Sequence, residues 1–390
     1  MRIATQVAPL LLWLGAGCAG GARMTSSRSL VAPFQASIAD SVRTERVAPG
    51  VLLHRLVQVH APWRAFVLDV DLTQCVSVRS VKGAGVAVGR RTTSALLASV
   101  SAGEIPVAAV NADFFLFAPP GVPVGAHIEN GKLISGPADR AVFGMTWARE
   151  PWIGRLDAGA TVRTERGEIA LRSLNRPTKG VPGLVDASWG VALDSTITRT
   201  VYRLAPVTST SPRYLVDTLS ATDSRIARGD TLLIVELPAD AGALKVGEHV
   251  GVVQTIGTPD LASVVGGMPA LLRDSVILGT VDSVSSASFR GLNPRTAVGI
   301  ANGGKRLFIT VIDGRQSGYS VGMSLRETAT LMRDMGAREA INLDGGGSSA
   351  MVLRSAKEPG RIDIVNKPSD AVGERPVANA LAVTGSCARR

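Results

Sequence analysis

Apolar and polar positions alternate over much of the chain, and the phase of that alternation predicts most of its elements. Ala65–Leu72 (AFVLDVDL) alternates with β-branched residues and predicts a strand. Thr92–Gly103 (TTSALLASVSAG) carries apolar residues at helical spacing and ends on a glycine, predicting a helix with a stop. PVAAVNADFF reads as an apolar strand closing on Asn111 and Asp113. From about 157 to 281 the texture becomes short β-rich runs, such as RYLVDTL, TLLIVELP and HVGVVQTI, broken by Gly, Pro and Asp. This predicts a mainly antiparallel inserted segment.

Beyond Arg295 the pattern turns mixed. RLFITVIDGR is a strand ending on Asp313, Gly314 and Arg315. SLRETATLMRDMG is a helix opened by a Ser324-x-x-Glu327 capping box, with Leu325, Thr328, Ala329 and Met332 on one face and Gly336 as its stop. EAINL is a short strand that delivers Asp344 to its end. Strand, helix, strand suggests parallel neighbours joined by a right-handed crossover, which would place Asp313 and Asp344 on one sheet edge. The fold expected is α+β: a mixed α/β core sheet with flanking helices and the β-rich insertion, within a domain spanning 47–390.

The first 22 residues have a basic start at Arg2, an apolar run from Val7 to Leu14 and then small residues, the layout of an export signal. LGAGC places Cys18 in a near-match to a lipoprotein box, with Gly15 where Leu is usual. An N-terminal lipid anchor and plain cleavage near Ala19 to Ala22 both stay open, and either implies a periplasmic, envelope or secreted protein. Residues 23–46 read as a polar, flexible lead-in. Nothing later reaches the ~18 apolar residues of a membrane span. Cys75 and Cys387 then permit one disulfide without requiring it.

The 390 residues are 45% hydrophobic, ample for a core, and carry a formal net charge of +10. The basic residues are scattered, with no long Lys/Arg run and no interleaved aromatic stripe, so nucleic acid is not the expected partner. An anionic substrate such as a phosphate-bearing glycan suits the positive field. His54, His60, His127 and His249 show no metal-ligand spacing, and there is neither a Gly-x-Ser-x-Gly nucleophile elbow nor a P-loop. What survives is acids, asparagines, arginines and glycines at element ends. These are Asn111 and Asp113; Arg295; Asp313 and Arg315; Asn342 and Asp344 with Gly345, Gly346, Gly347 and Ser348; and Glu374, Arg375 and Asn379. The triple glycine lies between apolar runs, so it belongs inside a fold rather than in a linker.

NADFF, VVGGMPALL, RTAVGI, VIDGRQSGYSVGMSLRETATLM, INLDGGGSSAMV and VNKPSDAVGERPVANAL occur in this order. Together they resemble the phosphodiester glycosidase family over roughly Val47 to Thr384. The resemblance implies hydrolysis of the bond between a sugar's anomeric carbon and a phosphodiester oxygen, leaving free sugar and phosphomonoester. An oxocarbenium-like centre needs a carboxylate as nucleophile or base, with Asp344 first and Asp113 second, and Asp313 and Glu327 as further acidic candidates. Arg295, Arg315 and Arg375 would bind phosphate oxygens. Gly345 to Gly347 with Ser348 would nest an anion through their N–H groups, and Asn111, Asn342 and Asn379 would reach sugar hydroxyls.

Each role has a structural alternative. Asp344, Asp113 and Asp313 could brace turns, Glu327 could only start its helix, Arg315 could pair with an acid, and the asparagines could satisfy buried backbone. A non-catalytic glycan-binding protein and a P–O cleaving phosphodiesterase are the rival functions. No cofactor is required by these residues, although oxygen ligands sufficient for Ca²⁺ are present.

Overall fold

The computed structural model describes residues 38–385, except 101–102, 137, 208–212, 221–226, 228, 230, 238–243, 258–259, 285 and 287–288. The export-signal and Cys18 expectations therefore lie outside the described residues, as does Cys387; of the expected flexible lead-in, 38–46 is described, and from Ser41 it is corrected to a strand paired with Val51–Gln58. Cys75 is disulfide-bonded.

The expected α+β class is overturned: the described residues form four β-sheets and only two α-helices. One eight-stranded sheet has the spatial order Ser41–Ala48, Val51–Gln58, Trp63–Asp71, Arg306–Ile312, Arg295–Ala301, Ala337–Asn342, Ala270–Arg273 and Val276–Ile277. Every neighbouring pair in it is antiparallel. Strict alternation builds two cores from it. Phe66, Leu68, Val70, Leu307, Ile309 and Val311 face a core shared with other sheets. Ala65, Val67, Phe308 and Ile312 face the opposite core, against helix α2 (Leu325–Asp334). Most of the sheet is thus covered on its inner face by strands rather than helices. A run of apolar residues buried on both faces reads the same in either class, which is why the local pattern misled.

Helix α2 forms where expected. Ser324 and Glu327 complete the capping box, and Leu325, Thr328, Ala329 and Met332 are buried. The other predicted helix shrinks to α1 (Thr93–Ala98), capped by the Thr92 hydroxyl on the Ala95 N–H and ended at Ser99 rather than at Gly103.

The supposed parallel neighbours are also corrected. Arg306–Ile312 and Ala337–Asn342 run in the same direction, but Arg295–Ala301 lies between them and opposes both. Asp313 and Asp344 still follow the same edge, because two antiparallel steps restore direction. A second sheet brings Ile362–Ile364, Met351–Arg354, Ile105–Asn111, Ala380–Gly385 and Val76–Val81 together. It meets the first at this edge, where the Asp344 N–H donates to the Ala112 carbonyl at 2.8 Å.

Strands between Ala158 and Ile256 pair among themselves in another eight-stranded sheet. Leu261–Gly266 then joins a five-stranded sheet with His127–Glu129 and Ala141–Thr146, so the chain rejoins the main body before 281. No described helix is long and apolar enough to cross a membrane.

Candidate functional site

Two turns, one from each sheet, are tied back to back. Asn111 ends its strand fully buried and has its side chain committed. Its Nδ2 donates to the Asp344 carbonyl at 2.6 Å, while Oδ1 accepts from the Thr296 hydroxyl at 2.8 Å and the Ala350 N–H at 3.1 Å. Asn111 therefore sets the position of Asp344 rather than reaching a sugar.

Asp113 is fully buried beside it. Its N–H donates to Asn379 Oδ1 at 2.8 Å and its Oδ2 accepts the Gly125 N–H at 2.8 Å. Its Oδ1 is buried with no hydrogen-bond partner among the described residues. A carboxylate oxygen left in this state awaits either its own proton or a donor from a ligand. Gly125 and Gly266 make the space: a Cβ on Gly266 would stand 2.5 Å from Asp113 Oδ2 and 2.6 Å from Gly125 Cα. Loss of hydration pushes Asp113 up to about 7, against the Gly125 N–H and Arg140, with the nearby Asp344 charge adding to the rise.

Asp344 is half-buried. Burial pushes its carboxyl up to about 7 as well, against the Ser348 hydroxyl, the Gly345 N–H and Arg375, all of which favour the charged form. The Ser348 hydroxyl faces this carboxylate without a well-formed hydrogen bond. Two interacting acids titrate as a pair, and Asp344, which keeps contact with water and faces a guanidinium, gives up its proton first.

The triple glycine is partly committed within its own loop. The Gly346 N–H is spent on the Pro294 carbonyl at 2.9 Å, and the Ser348 and Ser349 N–H groups close a 3₁₀ turn on Gly345 and Gly346. What the glycines supply is room for cations. A Cβ on Gly346, whose φ is +62°, would stand 3.1 Å from the Arg315 guanidinium, and one on Gly347 would collide with the Arg375 guanidinium. Arg315 is held by Asn293 Oδ1 at 2.9 Å and Arg375 by Asp370 at 2.5 Å. Both guanidiniums thus lie over the loop that follows Asp344. Gly347→Ala is expected to displace Arg375 and lower turnover about 10-fold through lost alignment, with a small change in melting temperature. Steady-state kinetics beside a thermal melt checks this.

Several candidates are not brought into this centre. Asp313 reaches the shared edge but is buried and braced: Asn366 Nδ2 donates to it at 2.8 Å, the Lys367 N–H at 3.0 Å and the Tyr319 hydroxyl at 3.1 Å. Burial raises its pKa against those donors. Arg295 is buried, donating to the carbonyls of Met323 at 2.9 Å and Phe289 at 2.7 Å, so it anchors the loop that carries Phe289. Asn342 Nδ2 donates to the Met268 and Leu343 carbonyls at 2.7 and 2.8 Å. Glu374 accepts from the Ser94 N–H and hydroxyl, each at 2.6 Å, at the start of α1. Glu327 is exposed and spends its carboxylate on the Ser324 N–H at 2.7 Å. Glu327→Ala should cost about 1 kcal/mol of stability through the lost cap and leave turnover intact, as denaturant titration and a rate assay would show.

Other residues enter that the sequence did not single out. Arg140 and Arg176, both half-buried, face Asp113, and Arg176 Nη1 donates to the Val124 carbonyl at 2.6 Å. Arg140 also lines a cavity of ≈ 730 Å³ with Ile153, Met268, Pro269 and Leu278. Behind Asp113, Asn379 uses its carbonyl oxygen on the Asp113 N–H, so its amide nitrogen faces His127 Nδ1 at 3.0 Å. His127 is consequently neutral with its proton on Nε2, 3.6 Å from Glu129, and burial holds its pKa down. Half-buried Phe114 and Phe289 pack at 5.2 Å between ring centroids. Loops far apart in sequence contribute these groups, and no local motif marks them. Among the described residues no group of three or more His, Cys, Asp or Glu gathers as metal ligands would.

Solved structures show how widely the fold is shared. A hypothetical protein from Synechocystis is 21% identical over 89% of this chain with a TM-score of 0.71, and the chain spans 64% of that protein's length. A protein of Burkholderia pseudomallei K96243, named as a candidate exported protein, is 24% identical over 84% of this chain and 75% of its own, with a TM-score of 0.63. The catalytic domain of zebrafish N-acetylglucosamine-1-phosphodiester alpha-N-acetylglucosaminidase, auto-inhibited by its pro-peptide, covers 90% of this chain and 87% of its own. At 17% identity and a TM-score of 0.47 that likeness is too loose to argue from. Comparison with curated proteins finds no match. The model of the phosphodiester glycosidase family matches residues 218–384, which include Arg315, Asp344, the triple glycine and Arg375. Over that segment the chain is similar to the phosphodiester glycosidase family.

Proposed function

We propose that this protein is an exported hydrolase that cleaves the glycosidic C–O bond of a sugar-1-phosphodiester, releasing sugar and phosphomonoester. The observation that carries the reading is the pairing of two carboxylates, Asp113 facing Arg140 and Arg176 and Asp344 facing Arg375, both pushed up to about 7. The family-model match over 218–384 supports the reaction class, and the name of the Burkholderia structure supports export.

The geometry suits the chemistry step by step. A phosphodiester leaving group departs as an anion, so the demand is for positive charge where that charge develops, and arginine forks supply it. The ionised Asp344 stabilises the oxocarbenium-like carbon or attacks it. Asp113, protonated at rest in its dry surroundings, passes its proton from the unpartnered Oδ1 to the departing phosphate oxygen and takes one back from the attacking water, so the carboxyl returns to its starting state. Phe114 offers a flat apolar face beside Asp113 for a sugar ring.

Hydrolysis of an α-GlcNAc-1-phosphodiester in ¹⁸O-labelled water tests the reading directly. Label is expected in the released sugar; label in the phosphate would instead establish P–O cleavage, and tight binding without release would establish a glycan-binding protein. Arginine side chains suffice in this reading to meet the developing charge, so treatment with EDTA is expected to leave turnover within about twofold of its starting value. A loss restored by added Ca²⁺ would overturn that part.

A further inference from the structure

A second basic cavity lies on the sheet that begins with Ser41–Ala48, with a volume of ≈ 410 Å³ and a lining that includes Arg43, Arg55, Arg64, Phe66 and Tyr319. The Arg64 guanidinium lies over the Tyr319 ring, 4.5 Å from its centroid, and its Nε is buried with no hydrogen-bond partner among the described residues. Lys367 Nζ approaches the same ring at 4.9 Å. Arg55 donates to the Val365 carbonyl at 3.3 Å and to Glu45 at 3.1 Å, and lies 5.6 Å from the Phe66 centroid. Arg43 is exposed at the mouth.

Four cations therefore face two acids, Glu45 and Asp313, and Asp313 is already saturated by Asn366, Lys367 and Tyr319. Positive charge is left over, together with a dry guanidinium N–H that has no acceptor. A buried donor without a partner is costly, and an anionic oxygen removes that cost. The aromatic walls give the guanidiniums a fixed plane, which suits a tetrahedral oxyanion better than a mobile lysine cluster would.

We propose that this cavity is a second binding site for a phosphate group, separate from the Asp113–Asp344 centre and independent of the reaction proposed there. The turn 315–320 joins the two places. Arg315 at its start lies against Gly346, Tyr319 near its end lines the cavity, and Gln316 closes the turn by accepting the Tyr319 and Ser320 N–H groups at 3.1 and 2.9 Å. A chain bearing phosphates at intervals could engage both sites across this turn, whereas free phosphate would fill the cavity alone.

Isothermal titration of the full chain with inorganic phosphate tests the site. An Arg315→Gln/Arg375→Gln background, which weakens the catalytic centre, is expected to keep one phosphate site. Adding Arg64→Gln, or separately the exposed Arg43→Gln, should weaken that site about 10-fold, the loss of one charge-assisted hydrogen bond. A thermal melt of each variant confirms folding. A synthetic trimer of sugars joined by phosphodiesters separates the sources. Binding at least about 10-fold tighter than inorganic phosphate, lost in Arg43→Gln, supports the site and assigns it to a polymer, since a linked second contact adds effective concentration. Equal affinity per phosphate supports the site and assigns it to free phosphate. Absence of phosphate binding in the Arg315→Gln/Arg375→Gln background, or binding there indifferent to both Arg64→Gln and Arg43→Gln, overturns the proposal.

Discussion

Asp344→Asn is expected to lower turnover about 100-fold or more, roughly 2.7 kcal/mol of barrier, while the protein stays folded. The amide keeps the size of the carboxylate and can still accept the Gly345 N–H, so the 3₁₀ turn over Gly346–Ser348 survives. What disappears is the negative charge that the proposed reaction places at the anomeric carbon. Because burial raises the carboxyl against its ordinary value, its ionised form is a burden to the native state, and the neutral amide should leave the melting temperature at pH 8 unchanged or raised. Kinetics on a sugar-1-phosphodiester together with a melt decide the matter. Near wild-type turnover in the folded variant would reduce Asp344 to a turn brace.

Asp113→Asn should produce a comparable loss of turnover with a distinct pH signature. Its folded pKa of about 7 stands above the ordinary carboxylate value of 3.8, so between those values the folded state holds a proton that the unfolded state has lost. Stability therefore falls as pH rises through that window, by up to about 1.4 kcal/mol per pH unit for each such group. Asp344 contributes in the same direction. Urea denaturation at pH 5 and pH 8 should show wild type losing stability toward pH 8 and Asp113→Asn losing about half as much, since one of two groups is removed. Equal pH dependence in the two proteins would mean that Asp113 is ionised throughout the range and cannot carry a proton.

Local sequence determined those elements whose causes are local. Ser324 and Glu327 satisfy each other across three residues, so the start of α2 was readable, and the apolar face of that helix followed from its period. The strand ends at Asn111, Asp313 and Asp344 were readable for the same reason, as were the motifs that carry the family. Sheet partnership was not. Whether Arg306–Ile312 lies beside Ala337–Asn342 or is separated from it by Arg295–Ala301 depends on a pairing between distant segments, and no periodicity encodes a partner's identity. The fold class turned on that choice.

The site divides along the same line. Residue type made Asp344, Asp113, Arg315 and Arg375 candidates, but it made Arg295 and Asp313 equally good ones, and only burial and partners separate them. Arg295 spends its donors on the Met323, Phe289 and Gly291 carbonyls, and Asp313 spends its acceptors on Asn366, Lys367 and Tyr319. The triple glycine was legible as a place of close approach, yet what approaches it is the pair of guanidiniums from 315 and 375. Arg140, Arg176 and His127 surround Asp113 from other loops and strands. Chain connectivity sets which residue types are available along each segment; the close packing of sheets decides which of them share a dielectric environment, and the raised pKa values of Asp113 and Asp344 arise from that shared environment.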